Sequence, residues 1–267
     1  MITFAIVAHN EAATIATAVS QATAAAGAGD QVLAVDSGST DDTAAQARRV
    51  GAEVFTAPVG KGRAMAVAAE AARSPWVCYL DADVPAGSPN YAARLRDIAA
   101  GTSADHVLGE YHDAQESVLS NTFAVYGPLV ASLFPEAADR FGRRPLTGFR
   151  LVRREFLHPS TFPPDFGIEA HLNLDILLSG GTHEVAPIGE YHSRFRYKPA
   201  MGSEIARAVL DLAERHGRLA PAARPAWDKW VGRAITVISG YHGGRDERPA
   251  FLRELTALAQ RPTPPAH

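Results

Sequence analysis

The chain has 267 residues, enough for one large domain with a sizeable core; 46% of them are hydrophobic and 21% charged. A formal net charge of −3 supplies no basic field and argues against a nucleic-acid partner. The single cysteine, Cys78, excludes a disulfide framework and points to a reducing, cytoplasmic setting, while no apolar run is long enough for a signal peptide or a membrane span.

Residues 2–8 (ITFAIVA) read as a buried strand and 11–26 as an alanine-rich helix ended by Gly27. Residues 31–36 (QVLAVD) read as a second strand, and 40–50 as a helix with Thr40 as N-cap. A third strand (52–57), a helix (61–73) and a fourth strand (76–83) follow. Strands alternating with helices of this length predict βαβ units: an α/β fold with a mainly parallel sheet and helices on both faces. Ligands of such sheets sit beyond the carboxyl ends of the strands, where Glu11, Asp36, Asp81 and Asp83 fall. In the second half, 117–134 reads as a long apolar helix bent near Gly127-Pro128, 147–153 as a strand, 168–180 as a helix and 183–191 as a strand. An amphipathic helix (201–217), a proline-bearing linker (219–226), two more helices (227–240 and 247–260) and a disordered tail (261–267) complete the expectation.

Asp81 and Asp83, two apart at a strand end, point the same way and suit a divalent cation carrying a diphosphate. A polar turn before Pro85 is the plainer account of the same residues. In VDSGSTDDT (35–43), a capped helix start explains Ser39 to Asp42 but not Asp36, whose carboxylate could accept from a base or ribose. In GKGRA (60–64), a glycine-rich turn before a helix suits an anion and Lys61 adds charge, although the Walker A spacing is absent.

HNEAATI, VDSGSTDDT, GKGRA and YLDADV, in this order and approximate spacing, resemble the donor-binding half of GT-A (Rossmann-like) nucleotide-sugar glycosyltransferases, with motifs like those of family 2. The resemblance covers about residues 2–100 and implies a UDP-sugar donor, with Asp36 at the uracil, Glu11 at the ribose or base, Lys61 at the nucleotide, and Ala8 and Ala82 in the pocket wall. His9 stands where such proteins often carry an aromatic residue or leucine. Residues 143–196 are similar to glucosyl-3-phosphoglycerate synthases, which retain anomeric configuration, through the PL-x-G turn with Thr147 and Gly148, FP-x-x-F-G-I-E ending in Glu169, and His192 after the last strand. This second resemblance implies that Glu169 holds sugar hydroxyls, that His192 joins Asp83, with Asp81 close by, around Mg²⁺ or Mn²⁺, and that the enzyme is a homodimer. The domain reading is therefore 1–217, divided into a nucleotide-sugar half (1–100) and an acceptor half (101–217), followed by a helical extension (218–260).

Departures fall on the acceptor side. Where the family grips phosphate and carboxylate with GGGRVTEL, this chain reads VLSNTFAV (118–125): Ser120 takes the arginine position and Thr122 survives. Arg194 and Arg196 keep charge after His192 in altered register, and Phe149 replaces a carboxylate beside Arg150; these three arginines are expected, with Ser120 and Thr122, to contact the acceptor. The expectation is a retaining transfer of a hexose, glucose by resemblance, to a small polar acceptor that is not 3-phosphoglycerate. Three alternatives stand beside it: a glucosyl-3-phosphoglycerate synthase proper, an inverting family 2-like enzyme with Glu169 or Asp165 as base, and a nucleotide-sugar-binding protein without turnover.

Overall fold

The computed structural model describes residues 1–113, 120–191, 198, 200–242, 244 and 246–267. Four strands, β1 (Ile2–Ala8), β2 (Gln31–Ser37), β3 (Glu53–Ala57) and β4 (Trp76–Asp81), pair in parallel. Their connecting helices are α1 (Ile15–Ala25), α2 (Thr43–Arg49) and α3 (Lys61–Ala71). All seven residues of β1 are buried, as a central strand covered on both faces requires. Its side chains alternate between two cores: Phe4 and Ile6 pack with Ile15 and Val19 of α1, while Ala5 and Val7 pack with Met65 of α3.

The sheet continues beyond β4. Its order is β3-β2-β1-β4-β6-β5-β7, with β5 at His106–Asp113, β6 at Arg150–Arg153 and β7 at His183–Tyr191. Strand β6 runs antiparallel to both β4 and β5, and β5 pairs in parallel with β7. Residues 91–113, left unassigned from sequence, form α4 (Tyr91–Gly101) and β5. Asn90 caps α4, its side chain accepting from the Ala93 N–H at 2.9 Å.

Two local expectations are corrected. Helix α2 starts at Thr43 because Asp41 accepts the Thr43 N–H at 3.0 Å, while the Thr40 N–H is taken by the Asn10 side chain at 2.8 Å. The expected helix near Gly127 is a π-helical segment, Thr122–Tyr126, leading into α5 (Gly127–Leu133). The Gly127 N–H bonds to the Thr122 carbonyl five residues back, and the widened turn makes room for Pro128.

Helices α6 (Ile168–Leu178), α7 (Met201–Arg215), α8 (Arg224–Ser239) and α9 (Arg248–Ala259) complete the chain. Trp227, Trp230 and Phe251 from the last two share one core with Phe134, Leu174 and Leu210. The tail, expected to be disordered, folds back instead. The buried Trp227 indole donates to the Pro265 carbonyl at 3.1 Å, and the Ala220 N–H to the Ala266 carbonyl at 2.9 Å. Among the described residues no helix is long and apolar enough to cross a membrane.

Candidate active site

A cavity of about 560 Å³ opens at the carboxyl ends of the parallel strands. Its first-half wall comprises Val7, Ala8, His9, Glu11, Ser37, Val59, Gly60 and Lys61. Asp81, Ala82 and Asp83 form its floor at the end of β4. Ser120, Asn121, Thr122, Leu146, Phe166, Glu169, Lys198, Met201 and Ile205 close the far side.

An ion cluster ties the two halves together. The Lys61 ammonium lies 2.8 Å from Asp81 Oδ1 and 2.5 Å from Glu169 Oε1. Burial alone would push Lys61 down and Asp81 up. The opposing charges override it, so the Lys61 ammonium stays above its ordinary range and the Asp81 carboxyl below.

Three glycines make this cluster possible. A Cβ on Gly148 would overlap the Asp81 carboxylate, and Cβ atoms on Gly60 and Gly62 would overlap the Pro164 and Pro163 carbonyls. The 163–165 segment therefore lies directly on the start of α3. The Gly62 and Arg63 N–H groups donate to Asp165 and Pro164 carbonyls, each at 3.2 Å. This corrects the anion-loop reading of GKGRA: two amides at the helix start are already taken, and the glycines serve close approach.

The Tyr191 hydroxyl, at the end of β7, donates to Asp83 Oδ1 at 2.8 Å, and burial followed by the Asp83 charge holds its phenol well above the usual range. The buried Glu11 accepts from the Thr14 hydroxyl at 3.0 Å. His9 donates through Nδ1 to the Ser37 carbonyl at 2.7 Å, joining β1 to β2. Asn10 turns this corner with φ of 56°, a conformation asparagine tolerates.

Not every expected residue reaches the cavity. Asp36 sits beside the wall, where Oδ1 accepts the Ser39 N–H at 3.2 Å; strand alternation gives the wall position to Ser37. Thr147 and Gly148 lie behind Asp81. Arg150, expected to contact an acceptor, is fully buried. Its guanidinium donates to the Thr147 carbonyl and to Asn173 Oδ1 at 3.2 Å, so it is an internal cation beneath the site. Asp165, an alternative base, accepts from the Gly167 N–H at 3.0 Å and pairs with Arg207. His192, Arg194 and Arg196 lie outside the described residues. Sequence reasoning missed Phe166, Tyr191 and Lys198. Tyr191 could have been found as the residue ending the last strand just before His192. Phe166 lies inside the FP-x-x-F-G-I-E motif and was passed over for Glu169, whereas Lys198 carries no local signal; the two meet only in the fold.

Among the described residues, no three histidine, cysteine or acidic side chains gather as a metal site. Asp81 and Asp83 nevertheless supply hard oxygen donors on one cavity edge, the chemistry Mg²⁺ and Mn²⁺ prefer. A carboxylate accepts through both oxygens, so the bonds from Lys61 and Tyr191 orient these groups without exhausting them.

Residues 3–123 match the family described as Glycosyl transferase family 2. They form a family 2 glycosyltransferase domain. The chain is 30% identical over 187 residues to glycosyltransferase AglJ of Haloferax volcanii, covering 68% of this chain and 60% of that protein. Its matches span 60–64% of the length of the curated relatives, which include glucosyl-3-phosphoglycerate synthases. A solved structure of that synthase from Mycobacterium tuberculosis, in complex with Mn²⁺, UDP-glucose and phosphoglyceric acid, superposes with a TM-score of 0.69 at 25% identity, covering 80% of each chain. Mannosyl-3-phosphoglycerate synthase from Rubrobacter xylanophilus superposes with a TM-score of 0.71 at 25% identity, covering 83% of this chain and 76% of the other. The fold of the family 2 domain and the sheet it seeds is GT-A.

Proposed function

We propose that this family 2 protein transfers a hexose from a UDP-sugar to a small hydroxylated acceptor. The observation that carries the reading is one cavity flanked by the β1 and β2 ends on one side and a separate second-half wall on the other, with Asp81 and Asp83 between them. The nucleotide would lie against Ala8, Glu11 and Ser37, with Asp36 reaching the base from beside the wall. Glu169 would take sugar hydroxyls, and Ser120 and Thr122 the acceptor. Asp81 and Asp83, with His192, would hold Mg²⁺ or Mn²⁺, which when bound neutralises the leaving diphosphate.

In the transfer, the anomeric C–O bond to the diphosphate breaks with its electron pair. The acceptor oxygen forms the new glycosidic bond, and its proton passes to the leaving diphosphate. Retention is the outcome the sequence resemblance implies; an inverting route would need Glu169 or Asp165 as base, and Asp165, paired with Arg207, is not among the described residues that line the cavity. Glucose is the expected sugar by likeness to the Mycobacterium synthase. The test is UDP release from UDP-glucose and UDP-mannose with Mn²⁺, followed by NMR of the product anomer. No UDP release with any acceptor would leave only a binding protein, and an inverted product would overturn retention.

A further inference from the structure

We infer that the acceptor of this site is a hydroxy acid with an apolar face, its acid group met by Lys198 and its apolar face by Phe166, Met201 and Ile205. This rests on the transferase reading and names the substrate class within it.

The cavity contains two lysines among the described residues. Lys61 is consumed by Asp81 and Glu169. Lys198 makes no ion pair with a described residue; its Nζ lies 4.3 Å from the centre of the Phe166 ring. A cation resting on an aromatic face keeps its charge available to an incoming anion while its position is fixed. The resemblance placed a charge at position 120, but Ser120 is neutral there, and buried Arg150 cannot supply one. Lys198 is thus the described cation left to meet an acid on the acceptor.

Apolar side chains surround it. Leu146, Phe166, Met201 and Ile205 are half-buried or buried and face the cavity; besides Lys198 itself, the polar groups of this wall among the described residues are Ser120, Asn121 and Thr122 and the Lys61-paired Glu169. A bare polyol or small phosphate would leave this surface without a matching partner. A ring or alkyl face would cover it, which is the favourable burial. One lysine is a single point charge without a bidentate fork, so it neutralises one anionic group and leaves the second acid of a phosphoglycerate unmatched.

The experiment uses the full chain with Mn²⁺. UDP affinity is measured by calorimetry. Transfer from UDP-glucose and UDP-mannose is then measured to glycerate, 3-phosphoglycerate, 3-phenyllactate and 3-phenyllactamide. The expected kcat/KM for phenyllactate exceeds that for glycerate and for the amide, each by about tenfold. Lys198→Met should abolish the preference for acid over amide and leave the UDP Kd within about twofold. Phe166→Ala should abolish the preference for phenyllactate over glycerate. Lys198→Gln, checked by its melting temperature, serves if the methionine variant misfolds. Equal use of glycerate and phenyllactate, 3-phosphoglycerate as best acceptor, or no transfer to any acid while UDP still binds would each overturn the inference alone. A tenfold weaker UDP Kd in the Lys198 variants would assign the lysine to the donor diphosphate and overturn it too. Absence of UDP binding in the unmodified chain would overturn the transferase reading itself.

Discussion

Lys61 serves fold and site at once, because it neutralises two carboxylates from different halves of the chain. Lys61→Met should remove the ion-pair partner of Asp81 and of the nearly inaccessible Glu169, leaving the fields of Lys198 and Arg150 to offset them, and cost about 3 kcal/mol. Urea denaturation checks this, and unchanged stability would mean the cluster is incidental. Gly148→Ala is subtler. Its Cβ would displace the Asp81 carboxylate while leaving the cores alone, so folding should survive and Mn²⁺-dependent UDP binding should weaken at least about tenfold, or about 1.4 kcal/mol. Calorimetry with and without chelator reads it; normal affinity would detach Asp81 from the metal. Asp81, Asp83, Lys61 and Glu169 were legible in the sequence because each sits in a short motif at an element boundary. Arg150 was misread because a charged residue next to Phe149 resembles a pocket edge, and only the packing of β6 between β4 and β5 shows that it is enclosed.

Among the elements, β5 and β7 hold an acid-sensitive contact. His106 and His183 face each other in register, Nδ1 to Nδ1 at 3.1 Å, with both Nε2 atoms buried and without hydrogen-bond partners among the described residues. Burial, then Arg140, pushes His183 down to about 4; Asp105 opposes this, and Arg150 adds to it. Burial, then Arg150, pushes His106 well below its ordinary value, and burial lowers His171 on α6 to about 4 against the opposing Asp175. The unfolded chain therefore binds more protons than the folded one between about pH 6.5 and 4. Stability is fully present above that window and falls as pH drops through it, by up to about 1.4 kcal/mol per pH unit for each histidine. Urea midpoints at pH 7, 6 and 5 should fall in that order; a flat profile would contradict the buried neutral pair. Strands β1 to β4 were legible as unbroken apolar runs, since both their faces are covered. Strand β5 was not, because it carries His106, Gly109, Glu110 and His112 and takes its identity from pairing with β6 and β7. The π-helical turn escaped for a related reason: the sequence marks Gly127-Pro128 as a disturbance without saying which way the helix yields.

For the molecule as a whole, we propose the homodimer that the sequence resemblance implies, and light scattering should then give about twice the 28.4 kDa chain mass; a monomeric mass at micromolar concentration would refute it. The helices after residue 218, read from sequence as an extension, share a core with α5 to α7, so their removal should unfold the second half instead of trimming it. Overall architecture was legible because the βαβ rhythm is local, whereas the closing of the site depends on contacts between distant segments such as 60–62 with 163–165. The placement of β6 has a consequence for biosynthesis. The family 2 match ends at residue 123, yet among the described residues the outer edge of β4 is paired by Arg150–Arg153 alone. A ribosome making about 5–20 residues per second needs roughly 4–14 s to pass from β4 to the end of β6. Throughout that interval the apolar Trp76–Leu80 stretch waits with one side unpaired, open to capture by a neighbouring nascent chain. Codon speed and chaperone access between residues 82 and 153 should therefore govern soluble yield more than the same changes after residue 200.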